Sequence, residues 1–262
     1  MKKVWLGSSW KMNKTQSDVV RYCEFIKPYL SAVDVELQTF LVPPFPYVKQ
    51  VGSSLAETGC LTGVQNVGFE SAGPFTGEIS VGMAKDIGAT LVEIGHSERR
   101  EWFGETDATV NKKVKLSLLE GLKPLICVGD TIDEKRWGVT AESITRQVKI
   151  ALHTVSADQV SQVIIAYEPV WAIGERGLPA TTEEAEYGLL AVRRALIELY
   201  GKTIAEKVPL LYGGSVNIHN AKMLLRQQNI DGLFVGRTAW HPEGLLRLIR
   251  LASEVIEEQA YA

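Results

Sequence analysis

Eight short runs of β-branched, leucine and aromatic residues recur along the 262-residue chain, and no other feature restricts its fold so tightly. They span Val4–Trp10, Leu37–Pro43, Thr62–Val67, Thr90–His96, Lys123–Asp130, Val163–Val170, Val208–Ser215 and Ile230–Gly236. Several are apolar almost without interruption, which is how a strand covered on both faces reads. Consecutive runs begin 22 to 45 residues apart. Most of those gaps hold a loop, a helix and a return, the repeat of a βαβ unit. Between the runs, Ala108–Gly121 sets Val110, Val114 and Leu118 on one face and stops at a glycine suited to a helix C-cap. Thr182–Tyr200 opens on Thr-Thr-Glu-Glu, an N-cap followed by acids that complement the helix dipole. Eight such units in succession favour a closed eight-stranded α/β barrel; an open doubly wound sheet is the other arrangement that strand count allows. No low-complexity linker breaks the pattern, so residues 1–262 read as a single domain, of the usual size for one such barrel.

Charge and cysteine usage narrow the partners. Lys and Arg number 28 against 31 Asp and Glu, a net charge of −3. That balance offers no electrostatic attraction to nucleic acid or to an acidic membrane. Cys23, Cys60 and Cys127 are scattered, as are His96, His153, His219 and His241, with neither CxxC nor HExxH spacing. A zinc site and a disulfide framework are not expected, and reduced thiols suit a cytoplasmic location. The opening MKKVWLGSSWKMN has too short an apolar run for a signal peptide, and no 18-residue apolar stretch follows. The expectation is a soluble intracellular protein without a metal.

The polar residues fall where the runs end: Ser9 and Lys11, Gln65 and Asn66, His96 and Ser97, Asp130, Glu168, then Gly213, Gly214 and Ser215, then Gly236. In a barrel these ends meet on one rim, the usual place of the active site. A Lys, a His and a Glu gathered there suit proton transfer with an electrophile and a fixed positive charge. Glu168, in Ala-Tyr-Glu-Pro-Val-Trp, lies in an apolar run that penalises the carboxylate and should strengthen it as a base. Alternatively it is a structural glutamate paired with a rim arginine. For His96, Ser97 and Glu98 are placed to cap a short helix whose N–H groups favour a neutral imidazole; a hydrogen-bonded rim histidine is the plainer reading. Lys11 is either a surface lysine or one held inward to attract an anion. The three together favour catalysis. Two glycine-containing turns, Tyr212–Val216 and Val235–Arg237, offer successive backbone N–H groups suited to a phosphate, though either alone suits a tight turn.

Four motifs in order, Trp-Lys-Met-Asn at 10–13, Gly-His-Ser-Glu-Arg-Arg at 95–100, Tyr-Glu-Pro-Val-Trp-Ala-Ile-Gly at 167–174 and Tyr-Gly-Gly-Ser-Val-Asn at 212–217, resemble the triosephosphate isomerase family over essentially the whole chain. The resemblance implies a single-domain (β/α)8 TIM barrel and a cofactor-independent intramolecular oxidoreductase of the aldose–ketose isomerase type. It implies Glu168 as the base that moves a proton between adjacent carbons of a small sugar phosphate, neutral His96 polarising the oxygens, Lys11 stabilising negative charge and Glu98 in support. Gly174, Ser215, Gly236 and the backbone at Arg237 would hold the phosphate, and a lid from Pro169 to about Ala180 would close over it. Residues 65–80 resemble the loop that enters a partner subunit, with Thr76 near the partner's site, so a homodimer is implied.

Three departures from the family pattern surround the substrate. Ser9 stands where the family has Asn, giving a shorter side chain and one amide donor fewer. The lid, Gly174-Glu175-Arg176-Gly177-Leu178-Pro179, is one residue longer and carries a proline. Gly236-Arg237 replaces Gly-Gly. These features resemble a branch acting on four-carbon substrates, which interconverts L-erythrulose 1-phosphate and D-erythrulose 4-phosphate. The extra hydroxymethyl group fits the space left at Ser9. The alternatives are the glycolytic and gluconeogenic reaction, between dihydroxyacetone phosphate and D-glyceraldehyde 3-phosphate, and a non-catalytic phosphate-binding barrel. A mere binder needs no base, and Glu168, His96 and Lys11 are all retained.

Overall fold

Side chains alternate across a strand, so an apolar run buried on both sides must divide its residues between two cores. The computed structural model, which describes residues 3–33, 36–174 and 177–260, shows that division. Eight parallel strands form it: β1 (Val4–Ser9), β2 (Leu37–Val42), β3 (Leu61–Val64), β4 (Leu91–Ile94), β5 (Lys123–Val128), β6 (Ile164–Tyr167), β7 (Leu210–Tyr212) and β8 (Gly232–Val235). Phe40, Leu91, Leu125, Cys127, Ile164, Leu211 and Phe234 pack together inside the ring, with Phe40 and Phe234 stacked 5.6 Å apart. Their neighbours Leu41, Val92, Ile126, Ile165, Leu210 and Leu233 belong to the larger core between strands and helices.

The ring is closed. β1 pairs with β2 on one side and with β8 on the other, in the register Trp5↔Gly232 to Ser8↔Val235. An open doubly wound sheet is thereby excluded, and all eight sequence runs are strands. Most of the observed strands stop short of the predicted ends: Lys123–Asp130 ends at Val128 and Val208–Ser215 at Tyr212, while β3 begins one residue earlier, at Leu61. Beyond those ends single backbone bonds carry the ladder on, Glu168 N–H to Val128 O and Gly213 N–H to Tyr167 O, each 2.8 Å, before the chain enters the rim loops.

The helices follow their caps. Thr106 closes a capping box at the start of Asp107–Glu120, and Gly121 ends it in the left-handed conformation, φ 82°. Val110 and Val114 of that helix are buried, and Leu118 packs partly buried against the same core. Thr181 caps Thr182–Tyr200 in the same way, with Glu183 and Glu184 in the first turn. Among the described residues no helix is long and apolar enough to cross a membrane.

Candidate active site

At the C-terminal rim, Ser9, Lys11, His96, Glu98, Glu168, Gly174, Ser215, Gly236 and Arg237 line one cavity of about 550 Å³. Every site residue expected from the sequence is therefore in one place. Of the lid, Glu175 and Arg176 lie outside the described residues.

Glu168 leaves β6 with its N–H donated to Val128 O at 2.8 Å. The residue is 5% exposed, and its Oε2 has no hydrogen-bond partner. A buried carboxylate oxygen without a donor keeps its lone pairs for something that enters the cavity. Two glycines make room for it. A Cβ on Gly213 would stand 2.6 Å from Glu168 Cγ, and one on Gly129 would stand 2.0 Å from Glu168 O. No arginine pairs with Glu168 among the described residues; its ionisable neighbours include His96, with Nε2 3.6 Å from Oε2, and the Cys127 thiol.

His96 is itself the cap of the helix Ser97–Trp102, a correction to the expectation that Ser97 and Glu98 would cap it. Its Nδ1 accepts the Glu98 N–H at 3.1 Å. With Nδ1 taken up by that bond, Nε2 is the ring nitrogen that faces Glu168 and the cavity.

Lys11 lies just past β1 in the left-handed region, φ 50°. For a side-chain-bearing residue this costs about 1–2 kcal/mol, so its neighbours must hold it there. Gln65 Nε2 donates to Lys11 O at 2.9 Å and to Val42 O at 3.1 Å. On the other side Asn13 Nδ2 donates to Trp10 O at 2.8 Å, and the Trp10 ring is fully buried against Tyr22. The lysine is thus held inward, with Nζ 2.6 Å from Glu98 Oε1.

The turns after β7 and β8 are joined. Thr238 Oγ1 donates to Val216 O at 2.8 Å, and Asn220 Nδ2 to Ser215 O at 2.8 Å. Arg237 folds outward over the rim and donates from Nη2 to Gly174 O at 2.8 Å, linking the β8 turn to the start of the lid. Asp130 faces away from the cavity and anchors the other side of the lid segment. It accepts from Tyr167 at 2.9 Å, Thr140 at 2.7 Å and Trp171 Nε1 at 3.3 Å.

One site residue escaped the sequence reading. Glu93, inside β4, accepts the Ser9 hydroxyl at 2.8 Å. Burial pushes its carboxyl from an ordinary 4.5 up to about 7; the charge of Glu168 adds to the rise, while His96, Ser9 and Lys11 oppose it. The available signal was an acid in the middle of an otherwise apolar run. No group of three or more His, Cys, Asp or Glu placed to hold a metal ion occurs among the described residues.

A family model described as triosephosphate isomerase matches residues 4–252. Similar proteins include the L-erythrulose-1-phosphate isomerase of Mesorhizobium japonicum, 42% identical over 254 residues, which are 96% of this chain and 98% of that one. The proteins of the same name from Brucella abortus and Rhizobium meliloti are each 42% identical, over 97% of this chain and 99% and 98% of their own.

Proposed function

Because the chain belongs to the triosephosphate isomerase family, we propose that it moves a proton between adjacent carbons of a four-carbon keto-sugar phosphate, converting L-erythrulose 1-phosphate to D-erythrulose 4-phosphate and back. The observation that carries this reading is the buried oxygen of Glu168, without a hydrogen-bond partner, beside Nε2 of His96, whose Nδ1 accepts the Glu98 N–H. A base and a hydrogen-bond donor on one cavity wall are what an enediolate intermediate requires.

Glu168 takes the proton from C3 of the ketose and returns it to C2. His96 polarises the two oxygens, and Lys11, held by Glu98, offsets the negative charge that develops on them. The carbonyl moves from C2 to C3, so both ends of the reaction are ketones; this is an intramolecular oxidoreduction that needs side chains alone. The phosphate rests on Gly174, Ser215, Gly236 and the N–H of Arg237, and the lid excludes water while the intermediate exists. Ser9 leaves space beside the reacting carbon for the hydroxymethyl group, and the names of the 42%-identical relatives support that substrate. Each chain carries one such barrel domain, acting in the cytoplasm and pairing with a second copy through residues 65–80. Phe75 in that loop, with Met83, Trp102 and Phe103 beyond it, supports the pairing by its exposed apolar surface.

A matched comparison of kcat/KM on L-erythrulose 1-phosphate, dihydroxyacetone phosphate and D-glyceraldehyde 3-phosphate tests the substrate. A preference for the tetrulose phosphate is expected; a preference for the triose phosphates returns the chain to the glycolytic reaction. Glu168→Gln should lower turnover by roughly 10²–10⁴ while a phosphate-bearing inhibitor still binds. Undiminished turnover would remove Glu168 from the mechanism.

A further inference from the structure

Glu93 is an acid where a barrel strand needs none. It stands between Val92 and Ile94 in β4, is 3% exposed, and occupies the inward position next after Leu91. Burying a carboxylate is costly unless its surroundings use it. The hydrogen bond it receives comes from Ser9, a cavity-lining residue. We propose that Glu93 is a positioning residue that fixes Ser9 as a hydrogen-bond acceptor toward the cavity, so that the site selects a substrate carrying an extra hydroxyl donor at its reacting end. This rests on the four-carbon substrate proposed above.

The argument is one of proton count. A serine hydroxyl has one hydrogen and two lone pairs, and an ionised carboxylate only accepts. With Glu93 ionised, the Ser9 hydrogen is committed to it at 2.8 Å, and lone pairs alone remain for the cavity. Lone pairs repel a carbonyl or enediolate oxygen, but they accept the hydrogen of a C4 hydroxyl. The hydroxymethyl group that distinguishes the tetrulose phosphate supplies that hydrogen, and the triose phosphates have no counterpart. Protonation of Glu93 reverses the bond: the acid donates to Ser9 Oγ, and the Ser9 hydrogen is free to turn toward the substrate.

The groups that face Glu93 are Ser9 of β1 and Lys11 beyond it, His96 beyond β4, Cys127 of β5 and Glu168 beyond β6. Burial raises Glu93 to about 7, Glu168 reinforces the rise, and His96, Ser9 and Lys11 oppose it. The Cys127 thiol is pushed well above its usual range by burial, so it stays uncharged as Glu93 titrates. The reversal therefore falls near neutrality.

The test is the ratio of kcat/KM on L-erythrulose 1-phosphate to that on dihydroxyacetone phosphate, measured across pH. Effects of pH common to both substrates cancel in the ratio. For the wild-type chain the ratio should rise through about pH 7, by up to about tenfold, the worth of one hydrogen bond. Glu93→Gln should make it independent of pH. Ser9→Ala, which leaves Glu93 in place, should give a low ratio that is also flat; it serves if the first variant folds poorly. A Glu93→Gln ratio that still follows the wild-type curve overturns the assignment, as does a Ser9→Ala enzyme with wild-type preference. A merely structural Glu93 would lower both kcat/KM values together and leave the pH curve intact. A wild-type chain that prefers the triose phosphate at every pH overturns the substrate reading instead. The comparison of Glu93→Gln with wild type then decides the Glu93 assignment by itself.

Discussion

Glu93 should also be visible in the stability of the fold. Its carboxyl is raised from 4.5 to about 7 on folding, so between those values the folded chain holds a proton that the unfolded chain has lost. Stability from this group is complete below about pH 4.5 and declines as pH rises through about 7, by on the order of 3 kcal/mol. Glu93→Gln removes the titration. Urea unfolding at about pH 5 and about pH 8 should find the variant gaining on wild type at the higher pH, by up to that amount; an equal difference at both would show that Glu93 does not titrate in this range. The sequence made Glu168, His96 and Lys11 legible because each is polar and falls where an apolar run gives out. Glu93 sits inside a run, and only the fold shows that its side chain meets Ser9, 84 positions away.

The elements were legible to within a few residues, and the reason lies in how each ends. Helices such as Asp107–Glu120 and Thr182–Tyr200 carry their boundaries as local chemistry, a threonine cap at one end and a glycine at the other. Strands do not: the runs take in small and polar residues such as Gly129, Asp130, Gly213 and Ser215, which lie past the observed strand ends. How one turn makes room for a side chain on its neighbour was not legible. Gly213 follows β7, yet its missing side chain is what lets Glu168 of the neighbouring β6 connection lie where it does. Gly213→Ala would set a Cβ 2.8 Å from Glu168 Oε1. A displacement of about 1 Å at a reacting group costs on the order of 10²-fold, so kcat should fall by about that factor while KM for the phosphorylated substrate changes little. An unchanged kcat would mean that the base swings aside without penalty.

For the whole molecule, the proposed pairing and the proposed chemistry share a residue. Gln65 opens the 65–80 loop, and its amide holds the strained backbone of Lys11. Phe75 in the same loop is 38% exposed and packed edge-on against Phe69 at 5.4 Å, and the proposed pairing turns on it. Phe75→Asp should shift the sedimenting mass from twice 28.9 kDa to 28.9 kDa. By loosening the loop that positions Lys11, it should also lower turnover on the order of 10²-fold. A variant that stays dimeric would move the interface elsewhere. Ring closure has a consequence of another kind, in the order of synthesis. β1 leaves the ribosome long before one of its two partners, β8. At a translation rate of about 5–20 residues per second, roughly 230 residues of waiting leave one side of β1 unpaired for about ten to fifty seconds. Until then the nascent chain carries an open sheet edge able to pair with a neighbour on the same messenger. The strand that completes the barrel is therefore also the one that ends that exposure.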